Sequence, residues 1–179
     1  MISEPAAGLP AEEARLVEAF RSGDREAFEI LYERYARMVH GILLARVPRA
    51  DVEDLVQEVF LAAFRSIRTL REVRAFGGWL AMITRNRATD YHRRAVETEE
   101  LPLNLGASDP SDLEAKDILD AIRSLPEAYR ESLVLRLVEG MTGPEIAERT
   151  GLTPGSVRVN LHRGMQQLRE KLSRSLPHG

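Results

Sequence analysis

Near the middle of the chain, the seventeen residues Ala95 to Ser111, 'AVETEELPLNLGASDPS', hold two prolines, a glycine, several acids and no apolar period. Nearly every other segment repeats apolar residues at helical steps, and none alternates as a half-buried strand would. This contrast predicts an all-α chain of two small helical domains joined by a flexible linker. Fully extended at ~3.3 Å per residue, the linker would reach roughly 55 Å.

The first unit reads as four helices. Ala11 to Arg21 is followed by 'SGD', where Asp24 can cap a helix whose apolar positions are Phe28, Leu31, Tyr35, Met38, Val39 and Ile42. Pro48 closes that segment, and Asp51 is expected to cap 'VEDLVQEVFLAAFRSI', with Val52, Leu55, Val56, Val59, Phe60 and Ala63 on one face. A loop around 'RTLREVRAFGG' leads to 'WLAMITRNRATDYHRR', with Trp79, Leu80, Ile83 and Tyr91 inward. Beyond the linker, Asp112 to Ser124 and a segment from Pro126 to Gly140 read as two more helices. The stretch 'GPEIAERTGLTPGSVRVNLHRGMQQLREKL', Gly143 to Leu172, then supplies the last pair.

Composition excludes several chemistries. The chain has 179 residues and no Cys, so disulfides, thiolate metal sites and cysteine nucleophiles are ruled out. Its four His residues are scattered without ligand spacing, and no metal or cofactor is expected. The N-terminus lacks the basic start and apolar core of a secretory signal. No apolar run approaches the ~20 residues that span a bilayer. A cytoplasmic location without stable membrane insertion is expected, and Gly179 follows so soon after the last helix that no appended sensor domain is expected.

The formal net charge of −3 conceals a strong segregation. Arg65 to Arg94 carries eight Arg against Glu72 and Asp90, a balance of +6. Glu97 to Asp120 carries eight acids against Lys116, a balance of −7. Gly155 to Arg174 carries five basic residues against Glu170, a balance of +4. Basic segments of this kind attract phosphate backbones, although solvated helix faces look the same on charge alone.

Three constellations sharpen the choice. In the last pair of helices, Gly151 permits a tight turn and Thr153 can cap. Val157, Leu161, Met165 (or Gly164) and Leu168 then repeat at helical spacing. This is a helix-turn-helix with Arg158, Asn160 and Arg163 on the polar side of its second helix, which can enter the major groove. The plain alternative is an αα-hairpin that binds nothing. In 'DVEDLVQEVF', Glu53, Asp54, Gln57 and Glu58 form a compact acidic face that suits a basic protein partner, or a merely solvated surface. In 'FGGWLAMITRNRATDYHRR', Arg85, Asn86, Thr89, Arg93 and Arg94 share one side with Trp79 and Tyr91 nearby. Unpaired bases bind such a mixture of charge and stacking surface, although a lone Trp is more often core.

In this order and spacing, 'SGDREAFEILYERY', 'DVEDLVQEVFLAAF', 'FGGWLAMITRNRATDYHRR' and 'LPEAYRESLVLRLVEGMTGPEIAERTGLTPGSVRVNLHRGMQQLR' resemble the bacterial group IV, or extracytoplasmic-function, sigma-70 family of RNA polymerase sigma factors. The resemblance covers roughly Leu16 to Leu172. It implies a sigma-2-type helical bundle over 11–95, a linker over 96–111 and a sigma-4-type helix-turn-helix domain over 112–174. It further implies a non-enzymatic factor that recruits core RNA polymerase to promoter DNA and helps open it, in a stress or envelope-signal response. By resemblance, Asp54, Leu55, Gln57 and Glu58 dock on the clamp helices of the largest polymerase subunit, and a second contact falls on the flap region. Trp79, Arg85, Asn86, Arg93 and Arg94 would serve the −10-type element, and Arg136, Arg158, Asn160 and Arg163 the −35-type element. An anti-sigma factor is the implied antagonist.

Two departures from the family pattern bear on the upstream element. Where related helices run Thr-Val-Lys/Arg-Ser-Arg-Leu, this one reads 'SVRVNL', so Val159 and Asn160 replace a hydroxyl and an arginine, and Met165 replaces another arginine. Two rival functions are a stand-alone helix-turn-helix regulator and a nucleic-acid enzyme. The first leaves the acidic face without a role, and the second wants clustered carboxylates or a His site that the sequence lacks.

Overall fold

The computed structural model describes residues 8–98 and 110–175, which form eight α-helices. The first unit comprises α1 (Gly8–Arg21), α2 (Arg25–Leu44), α3 (Arg49–Ser66) and α4 (Phe76–Thr98), with two 3-10 turns, Ile67–Thr69 and Val73–Ala75, between α3 and α4. The second comprises α5 (Pro110–Arg123), α6 (Glu127–Leu137), α7 (Gly143–Thr150) and α8 (Pro154–Ser175). The expected linker is thus shorter at both ends, because α4 continues to Thr98 and α5 begins at Pro110. Residues 99–109, the rest of that expectation, lie outside the described residues.

Local chemistry accounts for most helix boundaries. The Asp24 carboxylate accepts from the amides of Glu26 (2.9 Å) and Ala27 (3.3 Å), capping α2 as its position predicts. Asp51 does not cap α3. Pro48 stands at the N-cap instead, and the helix starts early enough to place Asp51 in its first turn. There the carboxylate accepts the Tyr91 hydroxyl at 2.7 Å, tying α3 to α4. In the second unit, Thr142 and Glu145 form a reciprocal capping box at the start of α7. Gly151 ends that helix at φ 76°, a left-handed conformation that costs glycine little, and the Thr153 hydroxyl accepts from the Ser156 amide at 3.1 Å.

Apolar spacing then dictates the packing. Leu31, Tyr35, Met38, Val39 and Ile42 put one stripe of α2 into the core, and Val52, Leu55, Val56, Val59, Phe60 and Ala63 do the same for α3. Each buried Val, Leu, Ile, Met or Phe among them contributes about 1.5–3 kcal/mol. In α8, Gly164 takes the inward position and Met165 lies half-buried beside it. A Cβ at Gly164 would stand 3.1 Å from Leu133 and 3.2 Å from Tyr129, so the glycine sets how closely α8 approaches α6.

The two helical domains expected from the sequence are present, and they pack on each other. Helix α2 packs against α6 and α7 as well as α1, α3 and α4, and α4 packs against α7. Their buried side chains form one continuous apolar core. Where α4 meets α7, a Cβ on Gly77 would lie 2.4 Å from the Arg149 carbonyl oxygen, so only glycine permits this approach. At the far end of α2 the Arg123 guanidinium donates to the Leu44 and Val47 carbonyls at 2.9 and 2.7 Å. Arg37 donates to the Glu139 carbonyl at 3.1 Å, and Arg149 donates to the Arg34 carbonyl while lying 5.4 Å from the Tyr35 ring centre.

A titratable pair also spans the two units. His40 of α2 bonds through Nδ1 to the Glu139 carboxylate in the turn after α6, and its Nε2 lies 3.7 Å from Glu53. The Glu139 hydrogen bond raises the imidazole above its usual range, against the opposing effects of partial burial and Arg49. A raised value means that this contribution is complete below the ordinary pKa of 6.5 and is lost as pH rises through the shifted value. Urea unfolding of the full chain across this range should therefore show stability falling towards alkaline pH by about 0.5–1 kcal/mol through this pair. His40→Gln should flatten that part of the profile; an unchanged profile would remove His40 from the interface energetics.

Candidate functional site

Helix α3 presents Asp54 and Gln57 to solvent, with Glu58 half-buried beside them. Leu55 does not belong to this surface. It is buried at 6% exposure, so it holds α3 in place rather than offering an apolar contact. An exposed apolar surface adjoins the acidic face, built around two residues that periodicity did not single out. Phe64 and Leu61 are 55% and 54% exposed, and with Tyr32, Phe28 and Phe60 they line an open groove that Gln57 borders. The rings pack on one another, with centroids 4.4 Å apart for Tyr32–Phe60 and 6.0 Å for Phe28–Phe64. The available signal was that Leu61 and Phe64 continue the edge of the α3 stripe past the width one helix face needs.

Helix α4 exposes Asn86, Arg93 and Arg94, with Arg93 held 3.0 Å from Asp90 one turn earlier. Trp79 is half-buried and packs its ring 5.7 Å from Phe76, so much of its surface belongs to the core. Thr89 turns its hydroxyl back to the Arg85 carbonyl at 3.1 Å. Arg85 differs most from expectation. Its guanidinium lies against α6 and makes a two-pronged pair with Glu131, at 3.0 Å from Nε and 2.7 Å from Nη2. Burial alone would push the Glu131 carboxyl up, but hydrogen bonds and charge from Arg85 and Arg46 outweigh it and hold the group below the usual carboxylate range. Glu131 is therefore ionised near neutral pH.

The helix-turn-helix has the expected geometry. Ile146, Ala147 and Val157 are buried between α7, α8 and α6, while Arg158 and Arg163 are exposed and Asn160 is half-buried on the outer side of α8. Val159 is 44% exposed among them. Arg136 is exposed at the end of α6 and donates to the Met141 carbonyl at 3.2 Å. A shallow apolar depression lined by Pro144, Ala147, Leu152, Val157 and Leu161 runs between the two helices. Among the described residues, no group of His, Asp and Glu is placed to hold a metal ion, and no helix is long and apolar enough to cross a membrane.

Comparison with known proteins places this geometry. Residues 31–98 match the family described as Sigma-70 region 2, and residues 115–168 match Sigma-70, region 4. The RNA polymerase sigma factor CarQ of Myxococcus xanthus is 37% identical over 166 residues, covering 87% of this chain and 95% of that protein. The ECF RNA polymerase sigma-E factors of Haemophilus influenzae and Escherichia coli K12 are 32% and 33% identical, each covering 88% of this chain and 93% and 92% of the respective relative. Among solved structures, CnrH in complex with the cytosolic domain of CnrY superposes with a TM-score of 0.65 at 25% identity, covering 92% of this chain and 99% of that one. RpoE in complex with the anti-sigma factor NepR from Bartonella quintana shares the fold, with a TM-score of 0.54 at 22% identity, covering 81% of this chain and 94% of that one. A region 2 helical bundle, a region 4 helix-turn-helix and relatives aligned over nearly their whole length together make this chain a member of the extracytoplasmic-function, group IV, sigma-70 family of RNA polymerase sigma factors.

Proposed function

We propose that the chain performs this sigma-factor role through three separate surfaces and has no catalysis of its own. The α3 face of Asp54, Gln57 and Glu58, with the adjoining groove of Tyr32, Leu61 and Phe64, docks on the clamp helices of core polymerase. Asn86, Arg93 and Arg94 of α4 take the separated strand of the −10-type element, with Arg85 joining them once it is released. Arg158, Asn160 and Arg163 of α8, with Arg136 close to the backbone, read the −35-type element, and the second unit as a whole meets the flap region. The observation that carries this reading is the segregation of exposed groups. The acidic and aromatic edge on α3 is suited to a protein, whereas the exposed cations of α4 and α8 are suited to nucleic acid.

A protein antagonist of the anti-sigma class fits the same account, since two solved relatives of this fold were captured with CnrY and with the anti-sigma factor NepR. The site of action is the cytoplasm, where core polymerase and promoter DNA are found.

Two measurements test the surfaces separately. Charge reversal at Asp54 with Phe64→Ser should weaken binding to core polymerase by about tenfold or more, roughly 1.4 kcal/mol, and leave helicity unchanged because both side chains are exposed. Core binding that survives the double change would place the docking surface elsewhere. Asn86→Ala should slow open-complex formation on a duplex promoter, with a smaller loss on a template already unpaired at the −10-type element. The residue touches only opened DNA in this account, so equal activity of variant and parent on duplex would remove it from the site.

A further inference from the structure

The pair between Arg85 and Glu131 has a third member. Arg46, in the turn after α2, places Nη2 2.8 Å from Glu131 Oε2 and 2.7 Å from Glu127 Oε1. Two guanidiniums of the region 2 bundle therefore converge on one carboxylate, and all three charged groups are largely withdrawn from solvent, at 11%, 31% and 6% side-chain exposure for Arg46, Arg85 and Glu131. Among the described residues, every acidic partner of Arg46 and Arg85 belongs to α6. No carboxylate of α1 to α4 balances them. Arg46 is also held from within region 2, because its guanidinium bonds back to the Ile42 carbonyl and its own carbonyl meets His92 at 2.6 Å.

A guanidinium fork engages the paired oxygens of a carboxylate and of a phosphate in the same way. When α6 moves off, two positioned cations are left without a counter-charge, one of them on the helix that carries Asn86, Arg93 and Arg94. We propose that Arg46 and Arg85 form a binding site for a nucleic-acid phosphate, and that Glu131 occupies this site as a stand-in anion while the two units are packed together. Free sigma factor would thus mask part of its own −10-type surface, and strand phosphates and Glu131 would compete for one place. The recognition residues Arg158 and Arg163 stay exposed throughout, so the masking falls on the opened strand and not on the upstream element. This rests on the assignment of α4 to single-stranded DNA.

The test is fluorescence anisotropy of the full chain with labelled, mixed-sequence single-stranded DNA over a salt series, without polymerase. Glu131→Gln keeps the shape and removes the charge. It should tighten binding roughly tenfold and steepen the log–log salt slope by about 0.7, the value for one phosphate contact on a single strand. Adding Arg46→Gln and Arg85→Gln to that variant should abolish both gains. Circular dichroism establishes that each variant is helical; should Glu131→Gln not fold, Glu131→Asp, which shortens the reach to both guanidiniums, should give a smaller gain of the same sign. An unchanged affinity, or a gain that survives loss of both arginines, would overturn the proposal. A gain for a polyglutamate peptide but not for DNA would also overturn it, assigning the pair to an acidic protein. Asn86→Ala separates the two readings. If it weakens DNA binding while Glu131→Gln does nothing, α4 still binds the strand and only the masked pair fails; if neither change has an effect, the α4 assignment itself fails.

Discussion

A carboxylate at 4% exposure cannot be left without a counter-charge, and Glu131 finds its partners only across the boundary between the two helical units. Removing one member of such a buried pair costs about 3–5 kcal/mol, whereas the intact pair adds little over a well-packed apolar contact. The arrangement therefore specifies which faces meet more than it strengthens the meeting. Gly77 imposes a matching steric condition, since α4 reaches the end of α7 only because no Cβ intervenes. Gly41 sets a softer condition for α2 against α6, where a Cβ would fall 2.6 Å from the end of the Leu135 side chain. Charge and shape thus agree on one relative placement of regions 2 and 4.

That placement shapes the function. A sigma factor has to reach two promoter elements at once, and a compact chain does not. In the closed arrangement, α3 with its aromatic groove and the outer side of α8 are exposed, whereas the faces of α2 and α4 that meet α6 and α7, with Arg46 and Arg85, are covered. Docking of core polymerase on the open α3 surface would precede exposure of the covered one, so strand capture follows recruitment. The same order would give a protein antagonist two ways to act, by taking the α3 groove or by holding the two units together.

Much of this was legible in the sequence. The helices, the Asp24 cap, the turn at Gly151 and the Thr153 cap follow from local chemistry within a few residues. The order of motifs carried the family. What local reading missed lies in contacts far apart along the chain. Asp51 has the composition of a cap, but Pro48 sets the helix start and Tyr91 claims the carboxylate. Periodicity puts Leu55 on the inward face of α3, where it is buried, and only the resemblance made it a docking residue, while Phe64 and Leu61 stay outside. Arg85 looks like any other cation of α4 until Glu131, 46 residues later, is placed beside it. The run without apolar period between Ala95 and Ser111 marks the boundary between the two domains, but linker composition carries no information about whether the faces on either side attract each other.

The central claim is that regions 2 and 4 are packed together in the free chain and part on binding core polymerase. Spin labels on exposed positions of α1 and α8 outside the proposed contact surfaces, such as Arg15 and Arg169, report this distance directly by double electron–electron resonance. The account predicts one narrow distance distribution for the free chain and a longer, distinct one for the polymerase-bound chain. A broad distribution in the free chain, or the same distance before and after polymerase binding, would contradict it.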